Sequence, residues 1–123
     1  MTRRVLIIED EPNIAESLTW ILQRGGFDVV TEPNGGAALE RVSAERPDLI
    51  ILDAMLPERS GFDILRDIRA RADMAAVPVI MLTAKSQTHD RETAETLGVD
   101  LFIAKPFSNA HVVESARRLA KAG

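Results

Sequence analysis

The chain has 123 residues, with 19 Asp and Glu against 15 Lys and Arg, a net charge of −4, two histidines and no cysteine. That length suits one domain burying roughly two-thirds of its unfolded surface, and the missing cysteine excludes disulfides, iron–sulfur clusters and thiol nucleophiles. The cations are scattered, which argues against direct nucleic acid binding; no apolar run reaches the ~20 residues of a membrane span; and His89 and His111 lie too far apart to suggest a zinc site.

Five short apolar runs, Val5–Ile8, Phe27–Val30, Leu49–Leu52, Val79–Leu82 and Leu101–Ala104, read as strands. They are mostly β-branched residues or Leu and do not alternate with polar ones, the pattern of strands covered on both faces of a parallel sheet. Ile14, Leu18, Ile21 and Leu22 predict a first helix, with Pro12 near its start and Gly25-Gly26 past its end. Ala38, Leu39 and Val42 predict a second helix, stopped by Pro47, and Phe62, Leu65 and Ile68 a third. A fourth, thinly apolar helix is expected from Thr88 to Leu97, ending at Gly98. The fifth begins at Ser108, a good cap, and carries Val112, Val113, Ala116 and Leu119. Strand and helix thus alternate five times, which predicts an open, doubly wound α/β sheet filling residues 1–123 as a single domain.

In such sheets ligands bind beyond the carboxyl ends of the strands. The first run is followed by Glu9-Asp10-Glu11, the third by Asp53, the fourth by Thr83 and the fifth by Lys105-Pro106. Three close carboxylates, Glu9, Asp10 and Asp53, repel one another unless a cation joins them, and an all-oxygen donor set suits Mg²⁺. A lysine ammonium and a threonine hydroxyl can each meet a phosphoryl oxygen. Carboxylate nucleophile, Mg²⁺, Lys and Thr are together the parts needed to transfer a phosphoryl group to an aspartate.

The segments Val5–Pro12, Leu49–Pro57 with Ser60-Gly61, Val79–Ala84 and Gly98–Phe107 resemble, in order and spacing, the receiver domain of two-component response regulators. The resemblance runs from about Arg4 to Leu119. It implies a flavodoxin-like (CheY-like) sheet of strand order 2-1-3-4-5 with five helices, and a cytoplasmic signalling switch rather than an enzyme turning over a substrate. It further implies that Asp53 accepts a phosphoryl group from a sensor histidine kinase or phosphotransfer protein. Asp10, Asp53 and the backbone carbonyl of Met55 would bind Mg²⁺, with Glu9 acting through water, and Lys105 would pair with Asp53 or its phosphoryl group. Thr83 and Phe102 match the switch pair, and the Lys105–Pro106 peptide is expected to be cis. A constitutive protein-binding module of the same fold is the alternative, and the complete set of Glu9, Asp10, Asp53, Thr83 and Lys105 counts against it.

The triplets Met55-Leu56-Pro57 and Thr83-Ala84-Lys85 look most like receivers that carry a winged-helix output domain, so a downstream protein or an output domain outside this chain is expected. Such receivers pair through the fourth helix, fifth strand and fifth helix by a charged network. Here Arg91 and Asp100 suit it, but Leu101, His111 and Ser115 stand where charges are typical, so the unphosphorylated protein is expected to be a monomer, with pairing left to the phosphorylated state. Met55 and Lys85, at the positions that tune phosphoryl lifetime, are poor at orienting a water, which predicts a lifetime longer than in fast chemotaxis receivers. Glu16, Thr19 and Trp20 of the first helix are candidates for the kinase contact. His89 and His111 are read as solvated helix residues.

Overall fold

Each apolar run lies in or against a strand, and each interval between runs holds a helix. The computed structural model, which describes residues 2–83 and 88–121, places β1 at Arg4–Ile8, β2 at Asp28–Glu32, β3 at Leu49–Asp53, β4 at Val79–Thr83 and β5 at Leu101–Ala104. The helices are α1 (Pro12–Arg24), α2 (Ala38–Glu45), α3 (Gly61–Ala70), α4 (Thr88–Thr96) and α5 (Asn109–Lys121). Strand order is β2-β1-β3-β4-β5 with every pairing parallel. This is the doubly wound architecture that the sequence predicts, in the strand order that the resemblance implies.

Successive side chains of a strand point to opposite faces, so each central strand feeds two cores. Leu6, Ile8, Ile50, Leu52, Val79 and Met81 meet Val42 of α2, Ile64, Leu65 and Ile68 of α3 and Ala94 of α4. Val5, Ile7, Leu49, Ile51, Ile80 and Leu82 meet Leu18 and Leu22 of α1 and Val112 and Ala116 of α5. β3 and β4 are buried along their whole length, which explains their unbroken apolar sequence. Burying a Leu or Ile side chain contributes about 1.5–3 kcal/mol, so these two layers dominate the stability of the sheet.

Phe27, expected to open the second strand, lies one residue before it. β2 is an edge strand with no fully buried residue, so Thr31 and Glu32 are tolerated at its end. Phe27 instead fills the core beneath α1, its N–H donating to the Leu22 carbonyl at 3.0 Å. A 3-10 turn at Gly35–Ala37, not expected from the pattern, leads into α2.

Helix ends follow local chemistry. Pro12 occupies the first turn of α1, and the Glu11 carboxylate caps it by accepting the Asn13 N–H. Ser60 caps α3 and Ser108 caps α5, each hydroxyl accepting a backbone N–H three residues on. Pro47 disfavours helical geometry at the residue before it, and α2 stops as Arg46 turns left-handed at φ 48°. At the amino end of the sheet the Arg69 guanidinium donates to the Gly98, Ala75 and Val77 carbonyls and to Asp100, whose carboxylate also accepts the Val79 N–H. One side chain thereby ties the end of α3 to the turn between α4 and β5. α4 itself is lightly anchored: among its described side chains only Ala94 is buried.

Candidate functional site: an acidic cleft at the carboxyl edge of the sheet

Parallel register decides which residues meet at the cleft. Ile8 pairs with Leu52, Asp53 with Leu82, and Thr83 with Ala104. At or one step beyond these pairs, Glu9, Asp53, Thr83 and Lys105 emerge along one edge, drawn together from positions 96 residues apart in the case of Glu9 and Lys105. The chain leaves each strand end under backbone control. The Ala54 N–H donates to the Leu82 carbonyl at 2.8 Å, and the Lys105 N–H to the Thr83 carbonyl at 2.6 Å. The Lys105–Pro106 peptide is cis, as the resemblance implied.

Glu9, Asp10 and Asp53 each present an oxygen within 4.8 Å of the others. Asp10 is exposed, whereas Glu9 is 2% and Asp53 5% exposed. The Lys105 ammonium lies 3.2 Å from Glu9 Oε1 and 3.5 Å from Asp53 Oδ1. Lys105 therefore serves two carboxylates, and the nearer is Glu9, whereas the motif alone joins it to Asp53. Asp53 Oδ1 also accepts the Met55 N–H at 3.2 Å, which sets the carboxylate against the loop that follows β3. Thr83 is buried at the cleft floor.

Burial pushes the Glu9 carboxyl up to about 7, assisted by its hydrogen bond to Asp53 and by the Asp53 charge, while the Glu11 N–H and Lys105 pull it down. Among the described residues one cation, Lys105, meets the two inner carboxylates, which leaves this buried pair short of positive charge. The donor set is all oxygen and clustered, the chemistry that a hard divalent cation such as Mg²⁺ meets. The residues present fit that ion.

Phe102 is buried in the core beneath α3 and α4, and the Arg91 guanidinium stands 5.5 Å above its ring. The pairing surface expected from sequence is depleted further. Ser115 is buried, not on the surface, because it lies on the inward side of α5, and Asp100 is held by Arg69. His89 and His111 are exposed on their helices as expected. Trp20 does not pack in the core: it is 59% exposed on α1, with the Arg24 guanidinium 4.7 Å over its ring. Met55 is exposed too, and Lys85 lies outside the described residues. The contacts made by Arg69, and the tight approach of Gly61 to β3, escape a sequence reading. A Ser-Gly pair before an apolar helix signals a cap, and says nothing of how close that cap comes to a strand end.

The sequence profile of the response regulator receiver domain matches residues 5–117. The chain is 38% identical over 122 residues to the alkaline phosphatase synthesis transcriptional regulatory protein PhoP of Bacillus subtilis, covering 96% of this chain and 50% of that protein. It is 40% identical over 117 residues to the DNA-binding response regulator MtrA of Mycolicibacterium smegmatis, covering 95% of this chain and 50% of that protein. The chain thus spans about half the length of these relatives. Among solved structures, a response regulator from Chloroflexus aurantiacus superposes with a TM-score of 0.93 at 26% identity, over 98% of this chain and 99% of that one. The receiver domain of a Pseudomonas aeruginosa sensor histidine kinase superposes with a TM-score of 0.89 at 30% identity, over 98% and 99% of the two chains; its structure has a magnesium ion coordinated in the active site cleft.

Proposed function

Since this chain belongs to the response regulator receiver family, we propose that its acidic cleft accepts a phosphoryl group on Asp53 from the histidine of a sensor kinase or phosphotransfer protein. The observation that carries this reading is the convergence of three carboxylates and one ammonium at the carboxyl edge of the sheet. An Asp53 carboxylate oxygen attacks the phosphorus, the P–N bond of the phosphohistidine breaks, and the leaving imidazole takes up a proton. Lys105, already beside Asp53, meets one phosphoryl oxygen as a point charge, and the Thr83 hydroxyl donates to another.

Glu9, Asp10 and Asp53, with the Met55 carbonyl, are the residues to hold Mg²⁺, which when bound supplies positive charge toward the phosphoryl oxygens. Transfer adds about −1.5 to −2 charge units at Asp53. In this reading Thr83 and Phe102 carry that change to α4, β5 and α5, and the scant burial of α4 supports a surface that can shift. The whole chain acts as one receiver domain, in the cytoplasm. Among its described residues no helix is long and apolar enough to cross a membrane. The signal passes to a partner protein or to an output domain, which is where any nucleic acid is met. The unphosphorylated protein is a monomer, and any pairing through α4, β5 and α5 belongs to the phosphorylated state; the hold of Arg69 on Asp100 and the burial of Ser115 weigh against an ion-pair network there.

Incubation with Mg²⁺ and acetyl phosphate, read by intact mass, tests the proposal. The wild type should gain one phosphoryl group and Asp53→Asn none. A wild type left unmodified with Mg²⁺ present would overturn it.

A further inference from the structure

The start of α3 lies against the end of β3 more closely than any side chain allows. A Cβ built on Gly61 would stand 2.2 Å from the Asp53 carbonyl oxygen, 2.8 Å from the Ala54 Cα and 3.0 Å from the Asp53 carbonyl carbon. All three are backbone atoms, so no flexible side chain can move aside. The contact is also bonded, since the Gly61 N–H donates to the Ala54 carbonyl at 2.8 Å. Ser60 completes the corner by capping the first turn of α3 through the Asp63 N–H. The loop between these points, residues 54–61, is therefore pinched shut at its base, and it is the loop that carries Met55.

From this closure we infer that Gly61 is a positioning residue for the acceptor aspartate. With hydrogen at position 61, α3 clamps the Asp53–Ala54 peptide and fixes where the Asp53 carboxylate and the Met55 backbone stand relative to Glu9, Asp10 and Lys105. With a methyl group there, ordinary contact distance is regained only if the helix start and the strand end separate by about 1 Å. Asp53 Oδ1 receives the Met55 N–H and faces Lys105 across 3.5 Å, so a shift of that size is a large part of the distance that matters. Reacting groups displaced by about 1 Å can lose roughly a hundredfold in rate. The inference rests on the proposed phosphoryl acceptance at Asp53.

The test compares wild type, Gly61→Ala and Ile68→Ala, a buried change at the other end of the same helix. Each is measured for Mg²⁺ affinity by calorimetry, phosphoryl uptake from acetyl phosphate by intact mass, and melting temperature. Gly61→Ala should take up phosphoryl about a hundredfold more slowly and bind Mg²⁺ more weakly, while Ile68→Ala, assayed below its melting temperature, stays within a few-fold of wild type. Uptake by Gly61→Ala within a few-fold of wild type, or slowed no more than in Ile68→Ala, overturns the inference. If alanine at position 61 prevents folding, Ser60→Ala loosens the same corner without adding an atom; unchanged Mg²⁺ binding and uptake in that variant overturn the inference as well. A wild type that neither binds Mg²⁺ nor gains mass defeats the underlying function, and is distinguished because no variant is involved.

Discussion

Glu9→Gln should stabilise the metal-free protein in a way that depends on pH. Glu9 is buried, and its carboxyl stands at about 7 against an ordinary 4.5, first because burial penalises the charge and then because Asp53 adds a hydrogen bond and a like charge. Between those two values the folded protein keeps a proton that the unfolded chain has released. Stability contributed by the protonated form is therefore present at acid pH and lost as pH rises through that window. From about pH 5 to about pH 8 the wild type loses on the order of 2 kcal/mol by this linkage, and the glutamine variant, which cannot ionise, does not. For a domain of this size the difference corresponds to roughly 10 °C in Tm. Loss of the ion pair to Lys105 at 3.2 Å is contained in the same number, since that pair already tempers the shift. Urea unfolding of both proteins in EDTA, at several values across that pH range, measures it. The gap should widen in favour of the glutamine variant as pH rises. A gap that is constant with pH would show that Glu9 ionises in the folded protein as it does in the unfolded chain, and the argument would fail.

The same proton governs metal binding: apparent Mg²⁺ affinity should climb up to a pH of about 7 and level off above it, with proton release visible as a buffer-dependent heat. Affinity unchanged from about pH 5.5 to about pH 8 would contradict this. Arg69→Met strips bonds from three carbonyls and from Asp100, and should cost about 2–3 kcal/mol in denaturant unfolding; a loss below about 1 kcal/mol would mean that water replaces the clamp. Trp20→Ala, at an exposed position, should change stability by less than about 0.5 kcal/mol. Wild-type Trp20 fluorescence should be readily quenched by acrylamide, and a protected, blue-shifted emission would place the ring elsewhere. The phosphoryl group on Asp53 should outlast that of fast chemotaxis receivers, and decay within seconds would sink that expectation.

What could be read from the residues, and what could not, divides along a physical line. Strand and helix identity are local properties. A buried parallel strand demands an unbroken apolar run such as Leu49–Leu52, a helix demands a stripe such as Ile14, Leu18, Ile21 and Leu22, and Pro12, Ser60 and Ser108 mark helix starts through their own chemistry. The convergence of the candidate site residues was legible for a related reason. Glu9, Asp53, Thr83 and Lys105 all follow apolar runs, and in a parallel sheet every such position opens on the same edge. Edge effects were less legible: Phe27 and the polar end of β2 depend on how many neighbours a strand has, which no single segment encodes.

Length, composition and charge, with the motifs at the strand ends, determined an acidic α/β fold, its strand count and the donor set of its cleft. Tertiary structure alone decided how those charges are shared. Lys105 stands between Glu9 and Asp53 because β1, β3 and β5 all end on one edge of the sheet, and Glu9 is raised because the fold buries it. It also tied Asp100 to Arg69, buried Ser115 and set Gly61 against the end of β3. The physical reason is that residue types and their periodicity act within a segment, whereas desolvation, close contact and charge pairing depend on which distant segments are packed together.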